Sequence, residues 1–153
     1  MRKVPAFWSL LDRHSPAQAP VAESLRDHVV VIACGRVGQH FVNVPGHLGL
    51  PRLVVEQDIG RVMELERQGV PTLYGDAANS DILSRVHLKQ AHAVIVTLPD
   101  EAAAPIVVAT THDDAPDAPI IVRAATQKGV HRLFALGAQH VIYPKLEGGL
   151  EMT

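Results

Sequence analysis

The sequence has one cysteine, no long apolar run and no excess of charge of either sign, and each absence excludes a class of protein. One cysteine in 153 residues cannot form an internal disulfide or supply a zinc site built from several cysteines. No apolar run approaches the roughly 20 residues of a membrane-spanning helix, and no signal-peptide pattern is present. Fourteen basic and 16 acidic residues give a net charge of −2, which provides no attraction to nucleic acid. We therefore expect a cytosolic protein that does not bind DNA or RNA.

The composition is that of a folded protein, although aromatic residues make up only 4% of it. Apolar residues account for 47% and charged residues for 20%, which is typical of globular chains and not of disordered ones. A chain of this length forms one domain with a substantial core.

Residues 1–27 differ in composition from the rest. They include three prolines and a short apolar cluster next to basic residues, formed by Phe7, Trp8, Leu10 and Leu11. One interpretation is a tail that packs on the domain or frays; the other is a connector to another part, for example at a membrane surface. The residues alone favour the tail. The domain itself is predicted to span residues 28–150.

From residue 28 onward, apolar runs alternate with helical patterns. Runs that are apolar at every position are typical of parallel strands covered on both faces, and they occupy residues 29–32, 53–55, 93–96 and 120–122. Residues 70–74 and 141–143 are weaker strand candidates. The alternation predicts an α/β, doubly wound fold, a Rossmann-like parallel sheet of six strands in the order 3-2-1-4-5-6 with helices on both faces.

Capping residues predict where the helices begin. Asp58, Asn79 or Ser80, Asp100 and Thr126 each precede a segment with apolar residues at helical spacing. The first of these helices is expected to bury Ile59, Val62 and Leu65, and the last to bury Val130, Leu133 and Phe134. The segment 112–119 is rich in Asp and Pro and is predicted to be a loop.

A glycine loop follows the first strand. Ala33-Cys34-Gly35-Arg36-Val37-Gly38 is G-x-G-x-x-G with alanine at the first glycine position. Gly35 would let the backbone approach a pyrophosphate, and Gly38 would let the next helix pack on the strand. The amides at that helix N-terminus would bind the anion. We expect the methyl group of Ala33 to weaken binding or shift the loop, and Pro45-Gly46 to cut the helix short.

An acidic residue stands at the matching place on the second strand. Glu56 ends that strand, 21 positions after Gly35. A carboxylate at this position accepts hydrogen bonds from the ribose hydroxyls of an adenine nucleotide and repels a 2′-phosphate. NAD(H), AMP or another adenine nucleotide is therefore favoured over NADP(H). Alone, Glu56 would be interpreted as a solvated residue; in register with the glycine loop it favours binding.

Four segments in order carry a resemblance to a known family. They are Cys34-Gly35-Arg36-Val37-Gly38, Val54-Val55-Glu56-Gln57-Asp58, Tyr74-Gly75-Asp76-Ala77 and Val94-Ile95-Val96-Thr97-Leu98-Pro99-Asp100. The sequence resembles the N-terminal domain of the regulator-of-potassium-conductance family, also known as TrkA-N, over about residues 28–150. It is most similar to the cytosolic domains of Kef-type potassium/proton antiporters. There a stretch similar to Pro5-Ala6-Phe7-Trp8 follows the last membrane helix, so the resemblance makes residues 1–27 a linker.

The resemblance implies a regulatory domain that binds NAD(H), AMP or ATP and turns occupancy into gating of potassium or cation transport. It implies a homodimer attached to an integral-membrane antiporter or channel, at the inner face of the cell membrane. Transferred by position, the residues that would contact the ligand are Gly35, Arg36, Val37, Gly38, Glu56, Gln57, Asp76, Ala77, Thr97, Leu98 and Arg123.

Four of these polar side chains also have a purely structural interpretation. Arg36 could pair with a phosphate or be solvated. Asp76 could bind the adenine side of the ligand or cap its own turn, and the two are equally favoured. Thr97 could cap its own loop. Arg123 could bridge to Asp100 or Asp76 without a ligand.

Other residues give weaker signals. The nine histidines form no H-E-x-x-H or His-x-His pattern, so packing or surface roles are favoured over a metal site. Cys34 could act in redox sensing because it precedes a helix N-terminus, but this is a minor alternative. Arg61 is expected on a helix surface, and contact with a phosphate is a minor alternative.

Catalysis by this chain alone is not expected. Tyr143 and Lys145 are two positions apart and form no Tyr-x-x-x-Lys pair, no G-x-S-x-G is present, and no length remains for a substrate domain. Two alternatives to the sensor remain. One is a small NAD-dependent oxidoreductase subunit that borrows catalytic groups; the other is a ligand-free Rossmann dimerisation module, motivated by Ala33.

Overall fold

Six parallel strands form one sheet in the order β3-β2-β1-β4-β5-β6 in the computed structural model, which describes residues 25–33 and 35–144. The strands are β1 Val29–Ile32, β2 Arg52–Glu56, β3 Thr72–Tyr74, β4 Ala93–Val96, β5 Ile120–Arg123 and β6 His140–Ile142. In the centre of the sheet, Val29 of β1 lies opposite Arg52 on one side and Ala93 on the other. The predicted class, strand order and doubly wound topology are confirmed.

Helices connect the strands and cover both faces. They are α1 Arg36–His47, α2 Ile59–Arg67, α3 Ser80–Leu83, α4 Ala103–Asp114 and α5 Gln127–Ala135, with a short 3-10 turn at Leu88–Gln90. Three of the predicted caps form hydrogen bonds to the first turn of their helices: Asp58, Asn79 and Thr126. Asp100 accepts from the Ala102 N–H at 2.8 Å, just before α4 begins.

The core consists of two apolar layers on opposite faces of the sheet. Side chains alternate along a strand, so Val30 and Ile32 of β1 face one layer and Val29 and Val31 the other. The first layer is completed by α3, α4 and α5, the second by α1 and α2. This double coverage explains why the central strands are apolar at every position.

Two predicted boundaries were wrong. Helix α1 continues through Pro45 to His47, because a proline in the last turn removes one hydrogen bond from a helix that is about to end. Helix α4 extends to Asp114 instead of ending before His112. It stops where Ala115 adopts φ −142°, ψ 75°, a non-helical conformation that the following proline favours.

Two apolar residues expected on buried helix faces are half-exposed. Ile59 is 50% exposed and Phe134 is 49% exposed, whereas Val62, Leu65 and Leu133 are buried. Ile59 opens α2 and Phe134 lies in the last turn of α5, so both lie at helix ends.

Most of the predicted linker lies outside the described residues, as do residues 145–150 of the predicted domain. In the part that is described, no helix has both the length and the apolar character to cross a membrane.

Candidate functional site

The predicted site residues meet at one edge of the sheet. Parallel strands end on the same side, so the residues after β1, β2, β3, β4 and β5 lie along their carboxyl edge. In doubly wound sheets, ligands bind at this edge where the strand order reverses, which here is between β1 and β4.

The first loop position holds a left-handed alanine. Ala33 has φ 65°, a conformation that glycine adopts without strain and that costs an L-residue about 1–2 kcal/mol. Its N–H donates to the Val55 carbonyl at 2.8 Å, which continues the pairing of β1 with β2. The loop therefore makes its turn with an alanine at the position of the first glycine.

Gly38 is required by close packing of α1 on the loop. A Cβ atom there would lie 2.8 Å from the Ala33 carbonyl oxygen and 3.0 Å from the Thr97 Oγ1. Both distances are shorter than van der Waals contact. The absence of a side chain allows the N-terminus of α1 to approach the end of β1.

Thr97 holds the loop to the neighbouring strand. Its side chain is 7% exposed, and its hydroxyl hydrogen-bonds with the Ile32 carbonyl at 3.1 Å and with the Ala33 carbonyl. Its N–H also donates to the Ile32 carbonyl, at 3.0 Å. These contacts support a structural role for Thr97, in which the hydroxyl stabilises the glycine loop.

Glu56 is a buried carboxylate at the end of β2. It is 3% exposed, and its Oε2 accepts from the N–H groups of Gln57 at 3.1 Å and Asp58 at 3.0 Å. These two donors fix the carboxylate at the sheet edge next to the glycine loop. Gln57 is exposed, and Asp58 caps α2.

The Gly75-Asp76-Ala77 turn follows β3. The Gly75 N–H donates to the Glu56 carbonyl at 2.9 Å, and a Cβ on Gly75 would lie 2.5 Å from the Ile82 Cδ1. Asp76 is exposed, and its Oδ1 accepts from the Ala78 N–H at 2.9 Å. Asp76 therefore caps its own turn, which is one of the two roles that the sequence suggested. Ala77 is buried in the core.

A groove of about 450 Å³ lies between the loops after β4 and β5 and helix α5. Leu98 and Arg123 both line it. The Arg123 Nε is buried and has no hydrogen-bond partner. Within the described ranges, no ion pair joins Arg123 to Asp76 or Asp100, so the structural alternative considered for Arg123 does not form.

Arg61 lies closer to the loop than the sequence suggested. Its Nη1 is 3.8 Å from the position that a Cβ on Gly35 would occupy. The signal that could have revealed it is the cap at Asp58, because this cap places Arg61 in the first turn of α2, at the same sheet edge.

Arg36 and Val37 form the beginning of α1, so their backbone lies at the loop. Cys34 lies outside the described residues, and its proposed redox role remains a prediction. The structure thus brings the glycine loop, Glu56 and Arg61 together at the ends of β1 and β2. Leu98 and Arg123 lie farther along the edge.

Curated relatives with this sequence pattern are membrane transport proteins. The chain is 30% identical over 129 residues to KefB, named as a K(+) efflux antiporter, of Alkalimonas amylolytica, covering 84% of this chain and 20% of that protein. It is 32% identical over 130 residues to YbaL, named as a cation/proton antiporter, of Escherichia coli K12, covering 85% and 23%. The chain therefore spans about a fifth of the length of these relatives.

Solved structures share the fold. The crystal structure of the TrkA-N domain of the inner membrane protein ybaL from Escherichia coli superposes with a TM-score of 0.75 at 32% identity, covering 78% of this chain and 89% of that one. A GsuK channel bound to NAD has a TM-score of 0.71 at 18% identity, covering 78% and 22%. The Kef CTD of Shewanella denitrificans in AMP-bound form has a TM-score of 0.64 at 20% identity, covering 79% and 73%.

The family model that matches describes the TrkA-N domain and covers residues 29–144, which includes every described strand and helix. This chain belongs to the TrkA-N domain family.

Proposed function

We propose that this domain binds an adenine nucleotide, NAD(H), AMP or ATP, at the ends of β1 and β2. Its occupancy would gate potassium or cation transport by an associated membrane antiporter or channel. The observation that carries the proposal is the pairing of a close-packed glycine loop with a buried carboxylate on the next strand. The glycine loop would recognise the phosphate, and the carboxylate would recognise the ribose.

The loop would bind the phosphate through backbone N–H groups. Gly38 lets α1 begin directly at the end of β1, so its first amides are available to an anion and its dipole favours negative charge. Gly35, Arg36, Val37 and Gly38 would supply these amides.

Glu56 would accept hydrogen bonds from the ribose hydroxyls. Its orientation is fixed by the N–H groups of Gln57 and Asp58. A carboxylate at this position repels a 2′-phosphate, which favours NAD(H) over NADP(H).

Asp76 and Ala77 would flank the adenine. Leu98, with Thr97 behind it, and Arg123 would face the far half of a dinucleotide.

The named ligands of the structural neighbours support the choice of adenine nucleotides. NAD is bound to a GsuK channel, ADP to another GsuK structure and AMP to a Kef CTD. The relatives that match this chain are named as antiporters and a potassium channel, which supports regulation of transport rather than catalysis. As a domain of such a transporter it would lie at the inner face of the cell membrane.

Gating requires that the nucleotide bind two states of the protein with different affinity, because a ligand shifts an equilibrium only by that difference. A homodimer supplies an interface at which two such states could differ. Sedimentation equilibrium with and without nucleotide measures the oligomeric state. We expect a dimer, and a monomer under both conditions would contradict the proposed homodimer.

Thermal-shift titration with NADH, NAD, AMP, ATP and NADPH tests the binding. A ligand at about 100 times its Kd adds about 2.7 kcal/mol of stability, which is several degrees in Tm. Glu56→Gln should reduce the shift, while Glu64→Gln should not, because Glu64 is exposed on α2 and pairs with Arg67. No shift with any nucleotide would favour the ligand-free dimerisation module, which Ala33 motivates.

A further inference from the structure

Arg61 is held at the glycine loop by the cap of its own helix. The Asp58 Oδ1 accepts from the N–H groups of Gly60 at 2.9 Å and Arg61 at 3.3 Å. This cap fixes the first turn of α2 at the carboxyl edge of the sheet, beside the end of β2. The backbone of Arg61 is therefore positioned independently of any contact made by its side chain.

The guanidinium group extends from this position toward the loop after β1. The Arg61 Nη1 lies 3.8 Å from the point that a Cβ on Gly35 would occupy, which is ordinary van der Waals contact. A residue with a longer side chain at position 35 would meet the guanidinium. The Arg61 guanidinium therefore lies directly beside the Gly35 backbone.

The Arg61 guanidinium has no ion-pair partner in the part of the chain that the structure describes. The contrast with Arg67 on the same helix is informative, because Arg67 contacts Glu64 at 2.5 Å. The two acidic residues nearest to Arg61 in sequence are both engaged, since Asp58 accepts two backbone hydrogen bonds and Glu64 pairs with Arg67. A guanidinium beside the glycine loop, with no acidic partner among the described residues, is a group suited to an anion.

We propose that Arg61 contacts the phosphate of the bound nucleotide, so that the site discriminates phosphorylated ligands from the nucleoside. This assignment rests on the proposed nucleotide site. A phosphate seated on the amides after Gly35 would lie beside the guanidinium, within reach of its N–H groups. Arginine presents a planar fork of N–H donors that matches phosphate oxygens, and such charge-assisted hydrogen bonds are among the strongest in proteins.

The assignment has a specific energetic signature. A hydrogen bond to a charged group contributes enough that its loss weakens affinity about tenfold or more. The loss should apply to ligands with a phosphate and not to adenosine, which has none. A guanidinium that instead stacked on the base would affect adenosine and its phosphates equally.

Isothermal titration of the wild-type chain with adenosine, AMP and ADP provides the test, with Arg61→Gln as the variant. Arg67→Gln is the matched control, since it removes the same charge from the same helix. We expect Arg61→Gln to weaken AMP and ADP binding about tenfold or more and to leave adenosine binding within about twofold. Arg67→Gln should change none of the three, and both variants should unfold at the wild-type temperature because both residues are exposed.

Three outcomes would overturn the assignment. Unchanged AMP and ADP affinity in Arg61→Gln, with binding by the wild type, refutes the role of Arg61 and leaves the proposed function intact. Equal weakening of adenosine, AMP and ADP places the guanidinium on the nucleoside and also refutes it. Absence of binding of all three to the wild-type chain refutes the proposed nucleotide site and the assignment together.

Discussion

Replacing Gly38 by alanine is expected to destabilise the domain, although alanine is the better helix former. The new Cβ would lie 2.8 Å from the Ala33 carbonyl oxygen, roughly 0.7 Å short of optimal contact near 3.5 Å. The obstructing atom is backbone, and the Ala33 N–H is already bonded to the Val55 carbonyl at 2.8 Å. The loop therefore cannot yield without losing strand pairing.

The expected magnitude follows from two opposing effects. Overpacking of a tight site costs about 1–3 kcal/mol, and alanine recovers about 1 kcal/mol of helix propensity relative to glycine. Because the obstructing atom is backbone, this site lies in the upper part of the overpacking range, about 2–3 kcal/mol, and the net loss is about 1–2 kcal/mol in the free energy of unfolding. For a domain of this size it lowers Tm by about 2–8 °C.

Urea unfolding followed by circular dichroism measures the effect, with Gly60→Ala as the control. Gly60 is exposed near the start of α2, and of the described residues its Cβ would meet the exposed Asp58 side chain alone, with the Oδ1 at 3.2 Å. We expect Gly60→Ala to be neutral or slightly stabilising. A Gly38→Ala protein as stable as the wild type would refute the close-packing argument.

Three further predictions concern other parts of the fold. Gly137→Ala should cost about 2–4 kcal/mol in chemical denaturation, because Gly137 has φ 120° and its Cβ would lie 2.5 Å from the His112 Cγ. Thr126→Ala should cost about 1 kcal/mol by losing the cap of α5, with Thr126→Ser retaining most of it. Burial lowers the pKa of His28, and this outweighs the opposite effect of the hydrogen bond between its Nε2 and the Val86 carbonyl at 2.8 Å. The free energy of unfolding should therefore decline as the pH falls below about 6.5.

The direction in which stability changes with pH at His28 follows from proton binding. Below pH about 6.5 the unfolded chain takes up a proton that the folded chain resists, so acid favours unfolding. His28→Gln should flatten the dependence of the urea midpoint between pH 7.5 and 5.5, whereas His92→Gln, an exposed control, should not. An unchanged slope in His28→Gln would contradict this account. The control for Gly137 is Gly49→Ala, where φ is 76° and a new Cβ would have no neighbour within 4 Å among the described residues, so a loss of about 1 kcal/mol is expected.

The sequence determined the class and topology of this fold because its signals are local and periodic. Strands that are covered on both faces must be apolar at every position, and runs such as 93–96 have this property in the printed sequence. Caps such as Asp58 and Thr126 also act within three residues, so pattern alone located the starts of α2 and α5. The glycine loop and the acid at Glu56 are fixed by their spacing along the βαβ unit.

Only the tertiary structure decided which atoms meet at the sheet edge. Thr97 and Ala33 are 64 positions apart, and nothing local predicts that the threonine hydroxyl contacts the loop carbonyl. Arg61 has the pattern of an exposed helix residue, yet its guanidinium lies beside Gly35 because two loops converge there. Side-chain proximity across strands depends on register and helix packing. These are properties of the assembled sheet and not of any segment of the chain.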